Sequence, residues 1–153
     1  MFMSSKLFLD SSILVEWAKK SQTDLFDYLT QSNSFELCIS QIVLSEFTFY
    51  WLAVGGSKAP LTLKRDGGIG SILLAYDPGP ILTRLSWVDA DHTIIPLYLR
   101  YMQQYNLLPN DALILATCKL KGIDQLASYD TDFAAACTGE RIRLVQTVAD
   151  LTI

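Results

Sequence analysis

One stretch constrains the fold more than any other: residues 108–133, LPNDALILATCKLKGIDQLASYDTDF. Pro109 suits the first turn of a helix, and the run from Ala112 to Leu120 is almost wholly apolar. Lys119, Lys121 and Gly122 then read as a helix C-terminus. A short strand is expected over Gln125 to Ser128, followed by Tyr-Asp-Thr-Asp-Phe. Asp111 therefore opens a helix, and Asp130 and Asp132 follow a strand. A helix that leads directly into a strand packs on its own sheet, which can bring the helix start near the strand end. The remaining question is whether other acids join these three.

The rest of the chain alternates in the same way. Lys6 to Asp10 reads as a buried strand ending in an acid, and Ser11 and Ser12 as caps for a helix over Ile13 to Lys20. A second helix is expected over Thr23 to Thr30, a strand over Glu36 to Ile39, and a third helix from a Ser40 cap to about Val54. Residues 55–83 are rich in Gly and Pro, with short helices possible at 61–63 and 69–76. A strand at Leu85 to Val88, a helix at Thr93 to Tyr105, a helical turn at Phe133 to Cys137 and a strand at Arg141 to Val145 complete the order. Short strands alternating with helices give an α/β domain: a three-layer α/β/α sandwich with a short, mostly parallel twisted sheet. The expectation is one domain over residues 1–153, with a variable segment at about 55–83.

Composition narrows the function classes. Half of the residues are hydrophobic and only 18% charged, yet no apolar run is long enough to cross a bilayer. The start, MFMSSKLFLD, lacks a basic flank and a long apolar core. A cytoplasmic protein without a membrane role is the expectation. The apolar excess fits a sheet covered on both faces or a surface for self-association. Cys38, Cys118 and Cys137 are odd in number and widely spaced, which suits buried small side chains rather than disulfides or zinc. His92 is the single histidine, so His-based triads are out of reach. The net charge of −4 argues against non-specific duplex binding through a basic face. Lys58, Lys64 and Arg65 give local positive charge that a solvated connector or a phosphate-holding loop would both explain.

Glu46 is the most anomalous charge. Ile42 and Val43 precede it and Phe49 and Tyr50 follow it at helical neighbour spacing. A carboxylate on such a face reaches water at the edge, or is paired, protonated or bound to a cation. In a doubly wound sheet the ligand site lies beyond the C-terminal strand ends. Asp10, Glu46, Asp111, Asp130 and Asp132 can all approach that edge. Singly, Asp10 is equally a helix cap, Asp111 a complement to the helix dipole, and Asp130 a turn residue. Together they repel, and hard divalent cations such as Mg²⁺ or Mn²⁺ relieve that repulsion. One or two such ions, paired about 4 Å apart, serve phosphodiester hydrolysis without His or Cys.

LFLDSSILVEW at 7–17, LSEF at 44–47 and NDALILATCKLKGIDQLASYDTDF at 110–133 resemble PIN-domain nucleases, especially VapC-type toxins. The resemblance spans nearly the whole chain in order, and D-A-L-I-L-A-T followed by S-x-D-x-D-F is its most specific part. It implies metal-dependent cleavage of single-stranded RNA, a catalytic and metal-binding tetrad of Asp10, Glu46, Asp111 and Asp130, an accessory Asp132, and Ser128 as a small hydroxyl residue beside the site. It also implies an antitoxin partner and a homodimer. Residues 55–83 look longer than a compact member needs. Three alternatives stand beside this reading: an RNA-processing nuclease without an antitoxin, a non-catalytic RNA-binding PIN module, and a phosphotransfer domain. The last is disfavoured, because Asp10-Ser-Ser lacks the second acid of an Asp-x-Asp phosphatase and no lysine follows Lys121, as a receiver domain would need.

Overall fold

The computed structural model describes residues 4–152. Residues 1–3 and 153 of the expected domain lie outside the described residues. The elements run β1 (Ser5–Leu9), α1 (Ser11–Ala18), α2 (Asp24–Gln31), β2 (Phe35–Ile39), α3 (Gln41–Gly56), α4 (Pro60–Arg65), α5 (Ile69–Ala75), α6 (Gly79–Leu82), β3 (Ser86–Trp87), α7 (Ile95–Tyr105), α8 (Pro109–Leu120), β4 (Gln125–Ala127), α9 (Phe133–Glu140) and β5 (Arg143–Val145). Single 3₁₀ turns at His92–Ile94 and Val148–Leu151 precede α7 and follow β5.

The sheet order is β3-β2-β1-β4-β5, and all four pairings are parallel. β1 is central because Leu7, Phe8 and Leu9 are apolar in succession and fully buried, as a strand covered on both faces requires. It registers Leu7 against Leu37 and Phe8 against Cys38 on one side, and Phe8 against Leu126 and Leu9 against Ala127 on the other. The edges are short, and each carries a residue that discourages further pairing or leaves it exposed, Arg143 on β5 and half-exposed Trp87 on β3. The crossovers between parallel strands set the helices over the sheet in two groups, α1 to α3 and α7 to α9. The two groups pack internally, α1 against α2 and α3, and α8 against α7 and α9. The result is the expected three-layer α/β sandwich.

α8 shows how the sequence sets its own boundaries. Pro109 occupies the first turn, and Ala112, Ile114, Leu115, Ala116, Thr117 and Cys118 are buried. Gly122, at φ 65°, ends the helix in the left-handed region. Gly122 N donates to Lys119 O at 3.3 Å and Ile123 N to Cys118 O at 2.9 Å. This paired closure, with Ile123 buried, turns the chain straight into β4.

Several expectations need correction. Phe133–Glu140 is a two-turn helix rather than a brief turn, so β4 and β5 are joined by a full crossover and pair in parallel. Residues 55–83 are mostly helical and include α6, which the Asp77-Pro-Gly-Pro80 punctuation hid. Ser40 holds the cap position of α3 but makes no side-chain capping bond. Other boundaries differ from expectation by one to three residues. All three cysteines are free and buried.

Candidate active site

The strand order reverses at β1: the chain winds outward to β2 and β3, then returns to β4 on the opposite side. The crevice at such a reversal lies beyond the C-terminal ends of β1 and β4. Asp10 follows β1, and Ser128 and Asp130 follow β4.

Asp10 anchors the arrangement. Its backbone N–H donates to Ala127 O at 2.9 Å, so β1 stays tied to β4 up to the acid. Its side chain caps α1, where Oδ2 accepts from Ser12 N at 3.4 Å and from Ser12 Oγ at 2.6 Å. Of the two capping readings the sequence allowed, Asp10 rather than Ser11 and Ser12 takes the cap. Ser128, fully buried, donates to the same Oδ2 at 2.7 Å. Its hydroxyl also accepts from Asp130 N at 3.0 Å, and Ser12 Oγ accepts from Tyr129 N at 3.1 Å. Two serine hydroxyls thus stitch the end of β1 to the segment after β4. All three donors fall on Oδ2, and Oδ1 of Asp10 has no hydrogen-bond partner among the described residues.

Glu46 stands in the second turn of α3. Phe49 and Tyr50 are about half exposed, so its face is apolar towards Val43 and open towards Tyr50. Even so, Oε1 is shut off from solvent and has no hydrogen-bond partner. Burial and the charge of Asp10 push its carboxyl above the ordinary range, while the nearby Asn110 and Ser11 side chains, which make no hydrogen bond to Oε1, pull the other way. Asp111, in the first turn of α8, is perturbed further. Burial, then the charges of Asp10, Asp130, Glu46 and Asp132, push it up to about 6. One carboxyl therefore senses every acid singled out in the sequence.

Asp10, Glu46, Asp111 and Asp130 line one cleft of about 270 Å³. Asp132 does not line it. Asp132 is exposed, its backbone N–H donates to Asp130 Oδ1 at 2.9 Å, and its charge reaches Asp111 without contact. Ser128 lies behind Asp10 rather than on the wall. His92 is exposed and outside the cleft, and Lys58 is paired with Asp66 at 3.7 Å, away from the acids with Lys64 and Arg65. Sequence reasoning missed Ser12 as a bridge and Glu16, Lys19 and Tyr50 as cleft residues. The signal was present: positions 12, 16 and 19 follow the i, i+4, i+7 stripe of one helix face, and Tyr50 is one turn beyond Glu46.

The residues suit a hard divalent cation. The donors are carboxylate oxygens, one of them dry and unpartnered, and burial followed by mutual repulsion raises Asp111 and Glu46. Among the described residues no three His, Cys, Asp or Glu side chains stand close enough to form a ready ion cage. The four acids share a cleft without closing on one point.

Comparison with known proteins identifies the family. The PIN domain family model matches residues 7–138. Ribonuclease VapC6 of Methanocaldococcus jannaschii is 32% identical over 155 aligned positions, covering 84% of this chain and 91% of that protein. Ribonuclease VapC2 of the same organism is 28% identical, covering 84% and 87%. Among solved structures, a toxin–antitoxin complex from Klebsiella pneumoniae matches with a TM-score of 0.58 at 19% identity, covering 92% of this chain and 96% of that one. At that identity the likeness concerns the fold alone. The family model spans from β1 into α9 and so takes in Asp10, Glu46, Asp111 and Asp130, and on that match the chain belongs to the PIN domain family.

Proposed function

We propose that this chain is a Mg²⁺- or Mn²⁺-dependent endoribonuclease that hydrolyses phosphodiesters of single-stranded RNA and acts as the toxin of a toxin–antitoxin pair. The observation that carries the reading is the convergence of four acids on the β1/β4 crevice, with Asp111 pushed up to about 6 by burial and then by its acidic neighbours. The ribonuclease names of the relatives and the toxin–antitoxin complex among the structural neighbours support the activity and the partner.

Asp10, Asp111 and Asp130 would hold the cation, and Glu46 would hold it or orient the attacking water. When bound, the cation supplies acidification of a water and neutralisation of phosphoryl oxygens. Ser128 keeps the Asp10 carboxylate aimed by holding Oδ2 at 2.7 Å. Asp132 adds negative charge without being a ligand. In-line attack by water leaves a 5′-phosphate and a 3′-hydroxyl and needs no 2′-hydroxyl. We take residues 1–153 as one cytoplasmic domain, with 55–83 as its variable segment, working as a homodimer with an antitoxin.

The test is a panel of single-stranded RNAs incubated with metal-stripped protein, with and without Mn²⁺, followed by end-group mapping. Cleavage on adding Mn²⁺, with 5′-phosphate ends and no cleavage by Asp10→Asn or Asp111→Asn, is the expected result. Full activity in either variant refutes the site. RNA bound but never cut points instead to a non-catalytic module.

A further inference from the structure

We propose that Lys19 and Tyr50 form a substrate clamp on the α1–α3 rim of the acid cleft, Lys19 taking a phosphate that flanks the scissile one and Tyr50 stacking an unpaired base. This rests on the reading of the chain as a nuclease for single-stranded RNA.

A cleft walled by carboxylates repels a polyanion, so binding needs a counterweight that reaches the same space. The basic stretch at Lys58, Lys64 and Arg65 does not line the cleft, whereas Lys19 does, and it is the one cation among the lining residues. Lys19 is held in place from below. Glu16, itself bonded by Ser21 Oγ, pairs with Lys19 Nζ at 3.5 Å. The lysine side chain is 45% exposed, so this pair is weak and an incoming phosphate displaces it at little cost. Glu16 thus parks the ammonium without burying it.

Tyr50 supplies the second half. Lys19 Nζ lies 5.9 Å from its ring centroid, at the outer reach of a cation–π contact. The ring is 46% exposed and meets Phe49 edge to face at 5.6 Å. An exposed aromatic set beside an ammonium is the pairing that single-stranded nucleic acids use, with the base on the ring and the phosphate on the cation. Tyr50 also lies one turn after Glu46 on α3, so a nucleotide seated on it is adjacent to the acids.

The test measures binding rather than cleavage. Fluorescence anisotropy follows a labelled single-stranded oligoribonucleotide on Asp111→Asn protein in Mg²⁺ over a salt series. Adding Lys19→Met is expected to weaken binding several-fold and to reduce the slope of log K against log[salt] by about 0.7, the signature of one lost phosphate contact on a single strand. Lys19→Arg should keep the slope. Tyr50→Ala is expected to lose about tenfold in affinity, Tyr50→Phe close to none, and the Tyr50→Ala loss should vanish on an abasic oligomer. Both positions are solvent-exposed, so melting temperatures should stay unchanged. A salt slope indifferent to Lys19→Met, or a Tyr50→Ala loss of equal size on abasic and base-bearing RNA, overturns the clamp. If wild type cleaves RNA while these variants bind like their parent, the clamp alone falls. If wild type neither binds nor cleaves RNA, the nuclease reading falls with it.

Discussion

Asp111→Asn tests the electrostatics of the site without relying on catalysis. Asp111 titrates near 6 in the folded protein against an ordinary value of 3.8. The folded state therefore holds this proton more tightly than the unfolded chain. The stability linked to the group is fully present below pH 3.8 and is lost as the pH rises through 6. A difference of this size corresponds to at most about 3 kcal/mol of destabilisation at neutral pH. Asp111 is only partly buried, and solvent screening reduces this to about 1–2 kcal/mol. Asparagine stays neutral, so the metal-stripped variant should be more stable than wild type by that amount above pH 7. For a chain of this size the melting temperature should rise by about 3–6 °C. The gain should shrink through pH 6 to 4 and disappear below pH 3.8. The assay is thermal unfolding in EDTA, followed by circular dichroism at a series of pH values. Added Mn²⁺ should stabilise wild type more than the variant, narrowing or reversing the gap. A variant that melts lower at pH 7.5 in EDTA, or whose advantage does not depend on pH, would refute the claim that burial and the neighbouring acids disfavour the Asp111 charge.

Two further outcomes follow from the geometry. Ser128→Ala removes the donor to Asp10 Oδ2 and the acceptor for Asp130 N in a fully buried position. It should cost about 1–3 kcal/mol in urea unfolding and lower the rate of Mn²⁺-dependent RNA cleavage together, and a variant as stable and as active as wild type would remove the serine from the site. Leu61, Leu73, Leu74 and Tyr76 leave much apolar area exposed on residues 55–83, with Leu74 89% accessible. Light scattering at micromolar concentration should give the mass of a dimer, and a monomer mass would contradict self-association.

The four acids were legible because each sits where local rules already place it. Asp10 caps a helix, Asp111 opens one and Asp130 follows a strand, so their elements fix them to one edge once the sheet is parallel. Glu46 was legible for a partly wrong reason. Its neighbours Phe49 and Tyr50 are exposed, and Oε1 is isolated from water by groups brought in from α1 and α8 rather than by its own helix face alone. Periodicity along one helix carries no record of the helices packed against it. Lys19 and Tyr50 stayed hidden for the same reason, since a lysine at a helix end and an aromatic on an apolar helix look ordinary until α1 and α3 pack together. α6 and the length of α9 were obscured by Gly and Pro, which mark helix starts and ends as readily as loops. The all-parallel sheet depended on α9, because only a full crossover lets β5 run in the same direction as β4.

The hydrogen bond from Ser128 to Asp10 joins residues 118 positions apart. A ribosome making this chain releases Asp10 and Glu46 early and Asp111, Ser128 and Asp130 near the end. A nascent chain that has not reached β4 therefore has β1 paired only with β2, and Asp10 without the Ser128 hydroxyl. Assembly of the cleft coincides with the closing stages of synthesis, and a product truncated before β4 lacks Ser128 and Asp130. On the toxin reading proposed above, the order of residues along the polypeptide is itself a delay.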